Sequence, residues 1–349
     1  MIDTVKLTPE YLNNPLTDTN RFYNDCRARN LSPGTSKQYT ATVVKYLKIT
    51  GTEQFRKEAE YTDYKPHLMK FLEVLRREEI SYSHTKAQFT ALTAFFFYLI
   101  DDGFITENPV PKFRARYVRE YKTPEPASCK VCTPAEVRVL IKTAKSALWG
   151  AIIITLVVTG LRRSELIALN VGDIDFENRI IQVHRHKKRS NCLVPFTEEA
   201  LSFILDYLEF RLKLGHELND DDPLFLGSQN IGRIGGEVIR LNLQRIGRRC
   251  NLHNDLGRED ERLIPHSFRH TFTTLLKEAG MNSDFIAECR GDKRQKSQDA
   301  YYRIKPERLR DEYDKYAPRI LQPFYTLPAP AENYHKKGKI RSSGTLAEA

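Results

Sequence analysis

The pattern of hydrophobic and polar positions predicts a helical first third of the chain. Between about residues 20 and 110, the stretches "TSKQYTATVVKYLKITG" and "TKAQFTALTAFFFYLIDDG" carry apolar residues at helical spacing. The first stretch ends at Gly51 and the second at Gly103, and glycine is common just beyond the end of a helix. This part is therefore predicted to form a small helical bundle.

After residue 130 the pattern predicts both helices and short strands. Thr133 and Glu136 form the predicted capping box of a helix with Pro134 at its first position, and a buried helix then ends at Gly160. The next stretch, "GDIDFENRIIQVHRHKKRSNCLVPF", has short alternating runs around "ENR" and "HKKRS", which predict a three-stranded antiparallel meander. Helical spacing returns beyond it. The predicted fold class is mainly α with a small antiparallel β-sheet.

A proline-rich basic segment separates the two parts. The stretch "ENPVPKFRARYVREYKTPEPASCKVCTP" contains five prolines and shows no periodicity, so it predicts an exposed connector. The expected division is a helical domain over residues 15–112, a connector over 113–130 and an α+β domain over 131–322. The basic tail over 323–349 lacks the apolar residues of a core and is expected to be disordered.

Composition narrows the classes of function. The formal net charge of +10 suits a nucleic-acid partner, and it also suits an ordinary basic protein of the cytosol. Cys129 and Cys132 form a C-x-x-C without a second pair or nearby histidines, so no structural zinc site is expected. The longest apolar stretch, from Trp149 to Val158, is too short for a bilayer, which favours a soluble cytoplasmic protein without a membrane partner.

Two basic segments in the second part are candidate anion sites. In "TGLRRSEL", Arg162 lies at the start of a helix, where backbone N–H groups and the helix dipole favour an anion. In "HRHKKRS", Lys187 and Lys188 lie at a predicted hairpin turn and could project toward a phosphate. Each segment taken alone is also typical of a solvated surface, because turns and exposed helix ends are rich in charge.

Two further segments carry polar groups suited to chemistry. In "HSFRH", His266 and Arg269 share one face of a helix and can grip the same oxyanion, with His270 one turn beyond the first histidine. A structural alternative is that His266 caps the helix and Arg269 pairs with a carboxylate. The segment "QDAYYRI" offers the phenols of Tyr301 and Tyr302, although tyrosines on an amphipathic helix are usually packing residues.

The order of these groups, arginine, lysine, His-x-x-Arg and tyrosine, resembles the tyrosine recombinase (phage integrase) family from about residue 20 to about residue 320. "TGLRRSEL" is similar to the family's first arginine box, "PHSFRHTF" to its His-x-x-Arg box and "ENPV" to the end of its helical DNA-binding domain. The resemblance implies an N-terminal helical core-binding domain and a C-terminal α+β catalytic domain that act on duplex DNA.

The resemblance also assigns roles to individual residues. Arg162 and Arg269 would clamp the scissile phosphate, and His266 would donate a hydrogen bond to it. Glu165 matches the acidic residue of the first box and would support Arg162 from behind. The anion that these side chains bind would thus be a phosphate of DNA.

The resemblance also implies a lysine that acts as general acid and a tyrosine that acts as nucleophile. Which residues fill these two roles depends on how the sequence is aligned with the family pattern. Alignment on "LVP" matches Lys187 to the catalytic lysine, and Lys188 is the alternative. The family's usual interval of nine residues after Asp292 reaches Tyr301, and the ending "YYRI" also fits the family pattern when it begins there. Tyr302 is then expected to be a packing residue.

The chain departs from the family pattern in two places. The glycines that usually flank the lysine are replaced by His186 and Lys188, so the hairpin turn can be of another type. Where the family commonly has "LGH", this chain has "CRGD", which puts Asp292 at a position usually held by His or Trp. That carboxylate would repel a phosphate, so either it faces an arginine such as Arg290 or another residue fills the role. The "RGD" is similar to archaeal members of the family.

The implied activity is cleavage and rejoining of duplex DNA through a 3′-phosphotyrosyl intermediate, without a metal, ATP or another cofactor. The implied partners are recombination sites in double-stranded DNA, bound by a homo-tetramer, and the implied task is to integrate or excise a mobile element. The segment "PERLRDEYDKYAPRI" would either be donated to a neighbouring subunit or pack on its own domain.

Three other classes fit parts of the pattern. A type IB topoisomerase would use nearly the same residues but would relax supercoils without exchanging strands between sites. A catalytically impaired DNA-binding relative would keep the basic surface, and Asp292 favours that alternative. A helical scaffold protein without a DNA partner would leave the ordered set of residues unexplained.

Overall fold

The computed structural model describes residues 18–51, 64–119, 129–183, 192–292 and 304–321, and the chain divides between residues 126 and 127 into two compact units. The predicted tail over 323–349 and the segments that contain Lys187 and Tyr301 lie outside the described residues. None of the helices in these ranges is long and apolar enough to cross a membrane.

The first unit is helical throughout its described part. Its helices are α1 (Asp18–Ala28), α2 (Pro33–Thr50), α3 (Tyr64–Arg77), α4 (Tyr82–Asp101) and α5 (Val110–Tyr117). Ser32 caps α2 by accepting the N–H of Thr35, and Gly51 ends that helix in a left-handed conformation with a φ of 81°. The core of the unit is rich in aromatic side chains, which include Phe22, Phe71, Phe89, Phe95 and Phe96.

The expected connector begins, in the structure, as helix α5. The prolines of this segment suggest a break in the chain, but Pro109 and Pro111 lie at the helix start, where a missing N–H leaves no hydrogen bond unmade. Phe113 is buried in the core, and its ring stacks on Phe89 with centroids 5.6 Å apart. The helical unit therefore extends to Val118, which is also buried, rather than ending at residue 112.

The second unit combines helices with a small sheet, so the predicted fold class is confirmed. Its helices are α6 (Pro134–Ala144), α7 (Ala147–Thr159), α8 (Arg163–Ala168), α9 (Glu198–Lys213), α10 (Gly236–Arg249), α11 (Pro265–Glu278), α12 (Ser283–Arg290) and α13 (Pro306–Tyr316). Its strands are β1 (Ile174–Asp175), β2 (Ile180–Gln182) and β3 (Leu193–Pro195). The strands pair antiparallel in the order β1-β2-β3, with Ile181 opposite both Ile174 and Val194.

Helix α7 is the centre of this unit. It is apolar on all sides, and its residues from Gly150 to Thr159 are buried. Helices α6, α9 and α11 all pack against it. Because α7 is enclosed in this way, the turn that follows it is held in a fixed place, and the first arginine box begins at that turn.

The described residues 304–321 pack on the second unit. In α13, the Tyr313 hydroxyl is buried and donates to the Val158 carbonyl of α7 at 2.6 Å. Farther along, the N–H groups of Ile320 and Leu321 both donate to the Glu199 carboxylate, at 2.9 and 3.0 Å. These contacts attach the described part of this segment to the second unit.

Candidate active site

Arg162 stands between two helices, as the first arginine box predicts. It is the N-cap residue of α8, and its backbone N–H donates to Glu165 Oε2 at 2.8 Å. Its Nη1 donates to Glu165 Oε1 at 2.9 Å. Since Glu165 is fully buried while Arg162 is 32% exposed, the carboxylate holds the guanidinium from the protein side and leaves its outer face accessible.

The turn at Gly160 connects the two arginines. Gly160 ends α7 with a φ of 62°, and a Cβ at this position would collide with the ring of Phe272 on α11. Its carbonyl accepts from Arg269 Nη1 at 2.6 Å. The same turn therefore presents Arg162 to one side and anchors Arg269 on the other.

Arg269 is almost completely enclosed, with 2% of its side chain exposed. Burial and, to a smaller extent, the positive charge of Arg290 lower its pKa to about 10, while Asp292 opposes the shift. The guanidinium is still charged at neutral pH. Burying a cation costs free energy unless it has anionic or carbonyl partners. The fold supplies both kinds of partner to Arg269.

Asp292 faces the arginines, which is one of the two arrangements that the sequence allows for its carboxylate. Its Oδ1 accepts from Arg162 Nη2 at 2.6 Å and from Arg269 Nη2 at 2.7 Å, and its Oδ2 lies 3.0 Å from Arg290 Nε. Gly291 ends α12 in a left-handed conformation with a φ of 64°, and this turn directs Asp292 back toward the arginines. We call Arg162, Arg269, Arg290 and Asp292 the arginine cluster.

His266 lies in the first turn of α11, three residues before Arg269 on the same helix. Its ring meets that of His270 edge to face, with centroids 4.8 Å apart. Partial burial lowers the pKa of His266, and the charges of His270 and Arg269 lower it further. A neutral imidazole is therefore favoured near pH 7, and it can donate a hydrogen bond without adding another charge.

Lys187 and Tyr301 lie outside the described residues, but the structure describes the chain on both sides of each. Strands β2 and β3 approach as a hairpin, and the N–H of Val183 donates to the Cys192 carbonyl at 2.7 Å. Lys187 is in the middle of the segment that joins these two residues. In the sequence, Tyr301 comes between Asp292 of the arginine cluster and Ile304, and Ile304 is buried against α11 and α13 residues.

Two contributions to the site do not follow from the sequence motifs. The first is the Gly160 carbonyl, which is invisible in a sequence because it belongs to the backbone. The second is Thr273, whose Oγ1 accepts from Arg290 Nη1 at 3.1 Å. Its position four residues after Arg269 puts it on the same helix face, and this spacing is the signal that could have found it.

Gly160→Ala is expected to lower the free energy of unfolding of the second unit by about 3 kcal/mol. The alanine would adopt a left-handed backbone, and its methyl group would overlap the Phe272 ring. Urea denaturation followed by the fluorescence of Trp149, the sole tryptophan, reports on this unit.

Gly215→Ala is the matched control, because Gly215 has a φ of 84° and open space around it. It should lose only about 1 kcal/mol, the cost of the backbone conformation. Equal losses in the two variants would contradict a steric role for Gly160.

The comparison with protein families agrees with this geometry. A family model described as the phage integrase family matches residues 130–308, which is just over half of the chain. The matched region contains every residue of the arginine cluster. The chain belongs to the phage integrase family.

Individual relatives extend the similarity beyond the second unit. The chain is 28% identical over 236 residues to the tyrosine recombinase XerC of Thermodesulfovibrio yellowstonii, covering 66% of this chain and 74% of that protein. It is 26% identical over 281 residues to the tyrosine recombinase XerD of Oceanobacillus iheyensis, covering 74% and 92%. The Tn1549 transposon integrase, solved in complex with transposon right end DNA, shares the fold with a TM-score of 0.60 at 22% identity, covering 86% and 99%.

Proposed function

We propose that this protein is a site-specific DNA recombinase that cleaves and rejoins duplex DNA through a 3′-phosphotyrosyl intermediate, and that it integrates or excises a mobile element. The observation that carries the proposal is the convergence of Arg162 Nη2 and Arg269 Nη2 on one oxygen atom, at 2.6 and 2.7 Å. Two guanidinium groups held on one oxyanion position suit a phosphodiester whose non-bridging oxygens gain charge during attack.

In the proposed reaction, the Tyr301 phenol gives up its proton to solvent, and its oxygen bonds to phosphorus as the bond to the 5′ oxygen breaks. Arg162, Arg269 and neutral His266 stabilise the charge on the non-bridging oxygens, and Lys187 protonates the departing 5′ oxygen. The phosphotyrosyl bond retains the energy of the broken linkage. Attack by a new 5′-hydroxyl then rejoins the strand without ATP.

The proposed partner is double-stranded DNA, bound by a tetramer that pairs two recombination sites in the cytoplasm. The net charge of +10, the family membership and the DNA present in the Tn1549 integrase structure support a DNA partner. In this proposal the α1–α5 unit is the core-binding domain. The second unit is the catalytic domain.

Covalent capture tests the proposal and identifies the target sequence in the same experiment. The full-length protein is incubated with nicked duplexes of randomised sequence, and complexes that survive denaturing detergent are recovered and their DNA is sequenced. The nick lets a short fragment leave after cleavage, so the intermediate accumulates. We expect a defined sequence to be enriched, and two copies of it to yield a Holliday junction. Relaxation of supercoils without a junction would instead assign the protein to type IB topoisomerases.

Cleavage is expected to persist when divalent metal is removed. The arginine pair places fixed positive charge where a metal ion would otherwise stabilise the phosphate. The measurement is the yield of covalent adduct in excess EDTA, compared with the yield in magnesium. An adduct that disappears with the chelator and returns with magnesium would overturn the proposed mechanism.

A further inference from the structure

The oxygen on which the two arginines converge belongs to Asp292. Its Oδ1 receives one hydrogen bond from Arg162 and one from Arg269, at 2.6 and 2.7 Å. These are the donors that the proposed reaction assigns to the scissile phosphate. The carboxylate thus holds the place where a non-bridging phosphate oxygen would be bound.

Asp292 and a phosphate oxygen would compete for the same hydrogen-bond donor of Arg269. Its Nη2 carries two hydrogens, and it donates to the Arg290 carbonyl at 3.2 Å and to Asp292 at 2.7 Å. Its Nη1 donates to the Gly160 carbonyl, and only 2% of the side chain is exposed. A phosphate oxygen can therefore reach Arg269 Nη2 only where Asp292 now lies.

The surroundings of Asp292 allow its side chain to turn while its backbone stays. Its N–H donates to the Ala287 carbonyl at 2.9 Å in the turn that ends α12, so the main chain is fixed. Its second carboxylate oxygen already lies 3.0 Å from Arg290 Nε. Arg290 is itself held by Thr273, at 3.1 Å, so it offers a fixed cation to which the displaced carboxylate can remain attached.

Charge favours the displacement when the phosphate arrives. The cluster and Glu165 together hold three guanidinium groups and two carboxylates, which leaves one net positive charge. If Asp292 stayed between the arginines, it would stand directly against the anionic phosphate, and such like-charge contacts are costly. Moving it to Arg290 frees two guanidinium groups for the charge that develops during attack.

We propose that Asp292 is an internal anionic ligand of the phosphate site that the scissile phosphate replaces, and that Arg290 is the positioning residue that holds the displaced carboxylate. This inference rests on the proposed function for the identity of the phosphate. In the DNA-free protein, the internal ligand keeps Arg162 and Arg269 aligned and excludes other anions. Entry to the site then requires an anion held in place by the rest of a bound duplex.

Asp292→Asn tests the internal ligand, because the amide keeps the shape of the carboxylate and removes its charge. We expect the variant to bind sulfate, a tetrahedral oxyanion, about tenfold more tightly by calorimetry, and to bind the captured duplex more tightly as well. Asp292→Ala should change binding in the same direction. Glu209→Gln is the control, since it removes one negative charge from an exposed pair on α9 and should leave sulfate binding unchanged.

Weaker sulfate binding by the Asp292 variants would contradict the inference. If Asp292 permanently supports the arginines, both substitutions will weaken sulfate binding although Trp149 fluorescence shows a folded second unit. That outcome overturns the inference.

A double-mutant cycle tests Arg290. Arg290→Gln should weaken duplex binding in the wild-type background, because the displaced carboxylate loses its cation. In the Asp292→Asn background no carboxylate needs to be held, so the loss should be about fivefold smaller. Equal losses in both backgrounds would mean that Arg290 acts on the phosphate directly or on the fold, and would refute its positioning role.

Sulfate binding and adduct formation separate the two proposals. If no duplex gives an adduct but Asp292→Asn binds sulfate more tightly, the internal ligand stands and the recombinase assignment fails. If the wild-type protein forms adducts and Asp292→Asn binds sulfate and duplex no more tightly, the internal ligand alone is refuted.

Discussion

Tyr301→Phe is expected to bind the captured duplex normally and to give no covalent protein–DNA adduct. The phenol oxygen is the proposed nucleophile, and phenylalanine keeps the ring while removing that oxygen. The sequence predicts that Tyr301 and Tyr302 lie on a helix, where adjacent residues point about 100° apart, so only one of them is expected to face the scissile phosphate. The interval from Asp292 and the pattern of "YYRI" both select Tyr301.

The measurement is a denaturing gel of the reaction with a nicked duplex, together with a binding assay on the same samples. Tyr302→Phe is the matched control, and it should still form the adduct, although a local hydrogen bond of its hydroxyl can affect the rate. Peptide mapping of the wild-type adduct identifies the attached residue. An adduct mapped to Tyr302 would refute the assignment.

Lys187→Ala is expected to slow cleavage of an ordinary phosphodiester by about 10²- to 10⁴-fold, the usual contribution of a general acid. The departing 5′ oxygen needs a proton, and the lysine at the middle of the β2–β3 connection is the proposed donor. On a duplex whose 5′ leaving atom is sulfur, no proton is needed. Cleavage by the variant should then return close to the wild-type rate on the same duplex.

Lys188→Ala provides the control for the register of this hairpin. It should cleave the ordinary duplex at nearly the wild-type rate, and the sulfur substitution should bring it no special gain. If the rescue is seen for Lys188→Ala and not for Lys187→Ala, the match through "LVP" is displaced by one residue.

Local signals in the sequence were enough for much of the fold. The Thr133 capping box forms as expected, with the N–H of Glu136 donating to Thr133 Oγ1 at 3.2 Å and the Thr133 N–H donating to Glu136 Oε2 at 2.7 Å. Gly51 and Gly160 end their helices in left-handed conformations. These features depend on residues within one or two turns of each other, so a single sequence contains the information for them.

The boundary of the first unit required information that is not local. The prolines around residue 110 are compatible both with a connector and with the first turn of a helix. What decides between these is the packing of Phe113 on Phe89, which lies 24 residues earlier in the chain. That contact cannot be predicted from the composition of the segment.

In the candidate site too, short motifs can be predicted from the sequence, whereas contacts between distant residues cannot. The short motifs in the sequence predict Arg162, Glu165, His266 and Arg269 as site residues. They mark Asp292 as a departure that either faces an arginine such as Arg290 or leaves its role to another residue. The sequence could not specify that Asp292 bridges two arginines, because Arg162 lies 130 residues away from it. Nor could it supply the bond between Arg269 and the Gly160 carbonyl, which spans 109 residues and depends on how α11 packs against α7.

The separate cores of the two units have a consequence for protein engineering. The described core of the first unit runs from Phe22 to Val118, and the cores of the second unit run from Cys132 to Leu321, with no residue in common. A chimaera joined between residues 119 and 129 would exchange the first unit for that of another family member without removing any described contact of the arginine cluster. Under the proposed function, the core-binding domain then becomes a replaceable module of the recombinase.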